Sequence, residues 1–231
     1  TDTSENAPAI YESHKYYIVP RIDEPNYLNV ILDICKKEEI DAVISLIDPE
    51  LLLLSKNKEL FEKNGVKVLV SDYELIQVAT NKFNMNAHLQ KNGFNYIPSY
   101  LSVSSFMDDY KQNKVNFPVF VKPVDGSAST GIKKIECLKD LECYSDKEGI
   151  LIQKFMNGKE LGADVYIDYI SGEINSIFVK EKIRMRAGET DKSIEYYDEK
   201  LEKLIHKFIQ VTPFRGIIDI DIFMVDDEYY I

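Results

Sequence analysis

A lysine followed by a run of small residues occupies the middle of the chain, in FPVFVKPVDGSASTGI, residues 117–132. Apolar residues lead into Lys122, and the small residues that follow it include Ser127, Ala128, Ser129 and Gly131. Small residues let backbone N–H groups approach an anion closely, and a lysine adds a fixed positive charge. The segment therefore indicates a phosphate-binding loop, and a glycine-rich hairpin turn beside a solvated lysine explains it about equally well. It is not a GxxxxGK[ST] loop, because the lysine precedes the glycines.

A second segment, LIQKFMNGKELGADVYID (151–168), carries polar residues on both sides of a predicted turn. A buried strand ends near Gln153, Lys154 and Phe155, and a second strand begins at Glu160. The side chain of Gln153 and the backbone around Phe155 could contact an adenine edge, while Glu160 could accept hydrogen bonds from ribose hydroxyls. Taken alone, a hairpin with ordinary polar residues at its rim is the more frequent explanation.

A third segment, RGIIDIDIF (215–223), alternates acidic and apolar residues. Because side chains alternate across a strand, Asp219 and Asp221 lie on the same face. Two neighbouring carboxylates need a partner if they are hidden from water, and Mg²⁺ (or Mn²⁺) is one candidate. A solvent-facing strand surface is the alternative.

Composition narrows the function classes. The chain has 231 residues, 45% of them hydrophobic, and a formal net charge of −11. An acidic surface argues against a nucleic-acid partner and against a polybasic membrane anchor. The cysteines Cys35, Cys137 and Cys143 form no CxxC pair, which argues against a zinc site or a disulfide framework and suits a reducing cytoplasm.

The first part of the chain alternates predicted helices and strands. YLNVILDICKKE (27–38) has helical spacing, and EIDAVISLI (39–47) indicates a buried strand. The next helix could be capped by Asp48 and ended by Gly65, and VKVLVS (66–71) indicates another strand. This order is typical of a parallel α/β sheet.

The pattern of predicted helices and strands changes near Thr80, where we place the domain boundary. A helix is predicted over 81–92, and further helical patterns cover 138–144 and 198–210. Strand-like runs occupy 97–103, 117–123, 131–136, 149–155, 161–170, 174–183 and 216–225. The second part is therefore predicted to be α+β.

Together the three segments resemble the ATP-grasp superfamily, and more closely its free-standing branch similar to the carbamoyl phosphate synthase large subunit. NKFNMNAHLQKNGFNYIPSY (81–100) resembles the family's opening segment, a lysine before a helix and then G-x-x-x-P. IRMRAGETDKS (183–193) resembles the segment that faces the triphosphate and the acceptor substrate, and residues 19–50 resemble the end of a Rossmann-like domain. The resemblance covers essentially the whole chain.

The resemblance implies a fold and an incomplete chain. A Rossmann-like preATP-grasp domain would cover 1–80 without its first strand. An ATP-grasp domain would cover 81–231, with a small lid subdomain at about 115–158 and its C-terminal end missing. The family's second metal ligands follow the strand that begins at Tyr229, in an E-x-N motif, so a chain ending at Ile231 is expected to bind Mg·ATP poorly and turn over hardly at all.

The resemblance also implies roles for single residues. Lys82 and Lys122 would contact phosphates, and the loop from Ser127 to Gly131 would close over them. Gln153, where the family usually has Glu, would face the adenine amino group.

The remaining roles concern the hinge, the metal and the acceptor. Phe155, next to Lys154, would bind adenine through its backbone, and Glu160 would hold the ribose. Asp221 fits the first metal ligand, with Asp219 as the second choice. The residues expected to face the γ-phosphate or the acceptor carboxylate are Arg184 and Arg186, and an exposed basic strand is the alternative for both.

The implied function is an ATP-dependent ligase that activates a carboxylate, or bicarbonate, as an acyl phosphate for attack by an amine or ammonia. The alternative is an ATP-binding sensor or assembly module without ligase activity, which Gln153 and the absent second metal motif favour slightly. The expected cofactors are ATP and Mg²⁺. The expected partners are small-molecule carboxylate and amine substrates and a second copy of the chain in a homodimer, in the cytoplasm.

Overall fold

A computed structural model describes residues 1–125, 131–186 and 188–231. The chain forms two compact units, Thr1–Val70 and Ser71–Ile231. The elements of the first unit are a 3₁₀ turn at Pro8–Tyr11, α1 (Tyr27–Lys37), β1 (Ala42–Val43), α2 (Asp48–Lys56), α3 (Lys58–Glu62) and β2 (Lys67–Val68). Strands β1 and β2 pair in parallel, which confirms the predicted order of helices and parallel strands.

The first unit departs from the sequence prediction in detail. The predicted strand over 39–47 pairs only at Ala42–Val43. The predicted helix breaks at Asn57, whose side-chain amide donates to the Leu53 carbonyl at 2.8 Å and so competes with the backbone ladder. The cap prediction was wrong, because Ile47 is the N-cap and Asp48 is the first helical residue.

The second unit contains two antiparallel sheets and five helices among the described residues. Its helices are α4 (Tyr73–Thr80), α5 (Lys82–Lys91), α6 (Val103–Lys111), α7 (Leu138–Glu142) and α8 (Glu199–Val211). Its strands are β3 (Ser99–Tyr100), β4 (Val119–Pro123), β5 (Lys133–Ile135), β6 (Ile150–Lys154), β7 (Lys159–Ile167), β8 (Ile174–Arg186), β9 (Glu189–Glu195), β10 (Gly216–Val225) and β11 (Glu228–Tyr230). The sequence patterns missed α4, α6 and β9.

The larger sheet has the strand order β11-β10-β7-β8-β9. One face is apolar and packs against α8, where Leu201, Ile205 and Phe208 are buried. The strand residues on that face include Leu161, Ala163, Val165, Ile167, Ile220 and Ile222. Because side chains alternate, the opposite face carries the polar residues of β7, β8 and β10.

The smaller sheet has the order β3-β6-β4-β5. Val119, Val121 and Ile152 pack into a second core with residues of α6 and α7. Lys122 and Gln153 alternate with these core residues and therefore lie on the other face of the sheet. This face of the smaller sheet carries Lys122 and Gln153 together with the apolar Phe120 and the buried Leu151.

Candidate functional site

Lys122 lies in β4 of the smaller sheet, beside Gln153 of β6. Its ammonium donates to the Gln153 carbonyl oxygen at 2.6 Å, and the Gln153 amide donates to the Ser99 hydroxyl at 2.9 Å. Burial, followed by the nearby charge of Lys82, lowers the pKa of Lys122 to about 8, and Asp221 opposes this shift. The ammonium is therefore within electrostatic reach of a carboxylate on the larger sheet.

Two hydrogen bonds join the start of α5 to the end of β4. The Lys82 N–H donates to the Val124 carbonyl at 3.2 Å, and the Asn81 amide donates to the Asp125 carboxylate at 2.8 Å. These bonds hold Lys82 next to Lys122. Gly131 has φ +74 and lies against the Pro123 ring, at the far side of the predicted phosphate loop. Ser127, Ala128 and Ser129 lie outside the described residues.

The turn between β6 and β7 connects the two sheets. Phe155 packs edge-on against Phe120 with ring centroids 5.4 Å apart, and the Lys134 ammonium lies 4.6 Å from the Phe155 ring centroid. The N–H of Phe155 donates to Pro118 and that of Lys154 donates to Pro98, so both are already used within the protein. Gly158 admits no side chain, because a Cβ would lie 2.2 Å from the Met224 carbonyl oxygen.

The polar face of the larger sheet brings Glu160 and Asp221 to the same lysine. The Lys182 ammonium on β8 is hydrogen-bonded to the Asp221 carboxylate and lies 3.8 Å from the Glu160 carboxylate. Burial disfavours the charge on Lys182, but the hydrogen bond to Asp221 and the charges of Asp221, Glu160 and Asp219 raise its pKa overall. One ammonium thus bridges two of the predicted site residues.

Asp219 and Asp221 lie on the same face of β10, as predicted. Partial burial and then the neighbouring Asp221 raise the pKa of Asp219, against the attraction of Lys180 and Lys182. Asp221 is open to solvent, with 74% of its side chain exposed. The exposed carboxylate of Asp221 is therefore accessible to a ligand from solvent.

The two arginines lie farther along β8, in the hairpin with β9. Arg184 forms an ion pair with Asp191 of β9, and Arg186 is exposed at the end of its strand. The structure places them on an exposed basic strand, the alternative stated for them from sequence.

Sequence reasoning missed the lysines of β8 and the glycine beneath them. Lys180 donates to Asp164 at 2.6 Å. A Cβ on Gly162 would lie 3.1 Å from the Lys180 Cε and 3.0 Å from the Lys182 Cε, so the glycine leaves room for both stems. The alternation of Lys180 and Lys182 was a usable signal, but it acquires meaning only from the register that sets β8 beside β7.

The donor set fits Mg²⁺ bound together with a nucleotide. Among the described residues, no group of three or more His, Cys, Asp or Glu side chains is arranged to hold a metal ion by itself. Mg²⁺ is commonly held by only one or two carboxylates, with phosphate oxygens and water completing its shell. The Lys182 ammonium already places a cation against Asp221, which shows that this position accepts positive charge.

A cavity of 540 Å³ lies next to the start of α5 and the end of β4, lined by Asn81, Phe83, Val124 and the 145–150 segment among others. Lys122, Gln153, Glu160 and Asp221 do not line it. The cavity is therefore distinct from the cluster of functional groups.

The sequence profile of the ATP-grasp domain matches residues 79–231. The chain belongs to the ATP-grasp family. A second profile, the PylC-like N-terminal domain, matches residues 1–69. The resemblance inferred from the motifs is thus confirmed.

Curated relatives include a carbamoyl phosphate synthase large chain and a D-alanine–D-alanine ligase. The carbamoyl phosphate synthase large chain of Pseudothermotoga lettingae is 26% identical over 95% of this ATP-grasp chain and 20% of its own length. The D-alanine–D-alanine ligase of Phocaeicola vulgatus is 28% identical over 37% of this chain and 29% of its own length. The chain therefore spans only about a fifth of the large synthase chain that it matches.

Solved ATP-grasp structures share the fold at low identity. N5-carboxyaminoimidazole synthetase from Staphylococcus aureus, complexed with ADP, aligns with a TM-score of 0.71 at 19% identity, over 99% of this chain and 60% of its own. The biotin carboxylase domain of the Hydrogenobacter thermophilus 2-oxoglutarate carboxylase is a dimer in complex with MgADP and bicarbonate. It aligns with a TM-score of 0.72 at 15% identity, over 99% of this chain and 56% of its own. The predicted fold class is confirmed. No helix within the described part of the chain is long and apolar enough to span a membrane.

Proposed function

We propose that this protein is an ATP-dependent ligase that activates a carboxylate as an acyl phosphate for attack by an amine or ammonia. The observation that carries the proposal is the convergence of the two sheets. Lys122 on the smaller sheet is hydrogen-bonded to Gln153, and the charge of Asp221 on the larger sheet acts on it, since that carboxylate opposes the fall in the pKa of Lys122. Family membership and the ligases among the relatives support the same reaction class.

Nucleotide binding is assigned to the face of the smaller sheet that carries Lys122 and Gln153 and to the polar face of the larger sheet. Lys82 and Lys122 would hold the phosphates, because two ammonium groups together suit a polyanion better than a single charge. Gln153, Lys154 and Phe155 would border the adenine. Since the N–H groups of Lys154 and Phe155 are already used, any backbone contact from these residues would come from their carbonyl oxygens.

The ribose and the loop complete the nucleotide site. Glu160 would accept hydrogen bonds from the ribose hydroxyls. The segment Ser127, Ala128, Ser129 and Gly131 would cover the phosphates, and small residues there would let backbone N–H groups come close.

Asp221, with Asp219 beside it, would hold Mg²⁺. When bound, the metal supplies positive charge that offsets the negative charge developing on the transferred phosphoryl group. The protein's own part is to position the reactants, to neutralise phosphate charge with Lys82 and Lys122, and to exclude water. Arg184 and Arg186 are proposed to meet the acceptor carboxylate, which for Arg184 requires release from Asp191.

The substrate proposal follows the relatives. An amino acid or another small organic acid is the preferred acceptor, as the D-alanine–D-alanine ligases suggest by name, and bicarbonate is the other. The domain proposal assigns residues 1–80 to the preATP-grasp domain and 81–231 to the ATP-grasp domain with its lid at about 115–158. A homodimer in the cytoplasm is proposed as well, supported by the dimeric biotin carboxylase domain and the three free cysteines.

The test is acceptor-dependent ADP release. The full-length protein is incubated with ATP, Mg²⁺, ammonium and pools of amino acids or bicarbonate, and ADP and phosphate are measured. A ligase releases ADP only when its acceptor is present. Tight ATP binding without acceptor-dependent release across the pools would instead indicate an ATP-binding sensor.

A further inference from the structure

Two lysines lie side by side on the polar face of β8, but their surroundings differ. Lys182 is the more deeply enclosed, with 5% of its side chain exposed against 17% for Lys180. Lys180 forms an ion pair with Asp164, and its charge also acts on Asp219. Lys182 has two carboxylate partners, because its ammonium is hydrogen-bonded to Asp221 and lies 3.8 Å from Glu160.

The placement of Lys182 depends on Gly162. The Lys182 Cε would lie 3.0 Å from any Cβ at that position, so its stem crosses the sheet through the space that the missing side chain leaves. In the register of the sheet Gly162 is the direct neighbour of Asp221. The ammonium is thereby directed across β7 onto the carboxylate of β10.

The two partners of Lys182 are the carboxylates that the proposed function assigns to ribose and to metal. Asp221 is 74% exposed, so a metal ion has access to it from solvent, whereas Lys182 contacts it from the enclosed side. A divalent metal approaching Asp221 alone would bring two further positive charges next to the ammonium. A metal that binds together with a nucleotide comes with negatively charged phosphate oxygens, which offset the charge of the metal and that of the ammonium.

We propose that Lys182 is the resident cation of Asp221 in the nucleotide-free protein, which disfavours metal binding until a nucleotide is present. The inference rests on the proposed function. In the free protein the ammonium neutralises Asp221 and competes with the metal. When nucleotide and metal bind together, the ammonium exchanges its carboxylate for phosphate oxygen, and the metal takes its place on Asp221. Lys182 is thus a positioning residue that couples the two binding events.

The coupling can be measured without turnover. Mn²⁺ binding is followed by electron paramagnetic resonance or calorimetry, with and without ADP, in the wild type and in Lys182→Met, which keeps most of the stem over Gly162. An ion pair with one exposed member changes a competing equilibrium by roughly three- to five-fold. We expect Lys182→Met to bind Mn²⁺ alone three- to five-fold more tightly, and ADP to improve Mn²⁺ affinity less than in the wild type.

Lys180→Met is the matched control, because it removes the same charge from the same strand, and Lys180 forms its ion pair with Asp164 rather than with Asp221. The change in the logarithm of the affinity for Mn²⁺ alone should be less than half of the change that Lys182→Met causes. In an Asp221→Asn background, Lys182→Met should lose its effect. Thermal unfolding of each variant shows whether it is folded, and Lys182→Gln replaces Lys182→Met if that variant is not.

Three results would overturn the inference: unchanged or weaker binding of Mn²⁺ alone in Lys182→Met, an equal effect of Lys180→Met, or an effect that persists without Asp221. Failure of the proposed function is a different outcome, since the wild type would then bind neither ADP nor Mn·ADP. Binding of ADP by the wild type with no response to Lys182→Met removes only the inference.

Discussion

Nucleotide binding should draw a proton onto Lys122. Burial and the charge of Lys82 lower its pKa to about 8, so about half of the Lys122 side chains are neutral at pH 8. A phosphate beside the ammonium favours the charged form and raises the pKa again. Binding of ATP at pH 8 should therefore take up about 0.5 proton at this residue, and at pH 7 only about 0.1.

Calorimetry in buffers of different ionisation enthalpy measures this uptake directly. Lys122→Met should abolish the rise in uptake between pH 7 and pH 8 and should weaken ATP binding, because a charge-assisted phosphate contact is lost. Lys203→Met is the control, since Lys203 is exposed on α8 and forms an ion pair with Glu199 in its own helix. The reasoning is refuted if Lys122→Met binds ATP with the uptake and affinity of the wild type.

Three other changes test the cleft and the core. Asp221→Asn should weaken the binding of Mn²⁺ in the presence of ADP about ten-fold or more, while the affinity for ADP without metal should change much less. Equal losses of affinity in both titrations would assign Asp221 to the nucleotide instead. Gly158→Ala should lower the free energy of unfolding by about 1–3 kcal/mol and weaken ADP binding, because its Cβ would lie 2.2 Å from the Met224 carbonyl oxygen. An unchanged urea unfolding curve would contradict this prediction. Phe208→Ala, in the core beneath the larger sheet, should cost about 3–5 kcal/mol in the same urea measurement, and Lys203→Ala on the exposed side of α8 should cost less than about 0.5.

The sequence predicted the elements whose pattern is strong and local. The helix at α8 and the alternating strand β10 follow from periodicity alone, and Gly93, with φ +71, ends α5 as expected. The missed helix α6 is capped by Ser102, whose side chain accepts from the Ser105 N–H, a signal that was present in the sequence and not used. The missed strand β9 is mostly exposed and polar, so it has no alternation to reveal it, and its pairing with β8 alone defines it.

The site was predictable only where one segment contains it. Lys122 and Gln153 were found because each lies in a recognisable motif, but their hydrogen bond depends on the pairing of β4 with β6. Lys182 was missed because its meaning depends on Gly162 and Asp221, which belong to other strands. Register is a tertiary property, so no local pattern of β8 could identify its partners.

The charges of the cleft suggest why the free protein keeps an unfavourable arrangement. Burial and then the charge of Lys82 lower the pKa of Lys122, while burial and then the charge of Asp221 raise the pKa of Asp219. Each like-charged pair contributes repulsion, which Lys182 offsets in part at Asp221 and which a ligand of the opposite sign would offset further. A nucleotide polyphosphate with its metal carries both signs, negative toward the lysines and positive toward the aspartates, and so relieves both pairs at once. A simple anion or a bare metal relieves only one pair, and binding at this site should therefore be strongest for a ligand that combines the two charges.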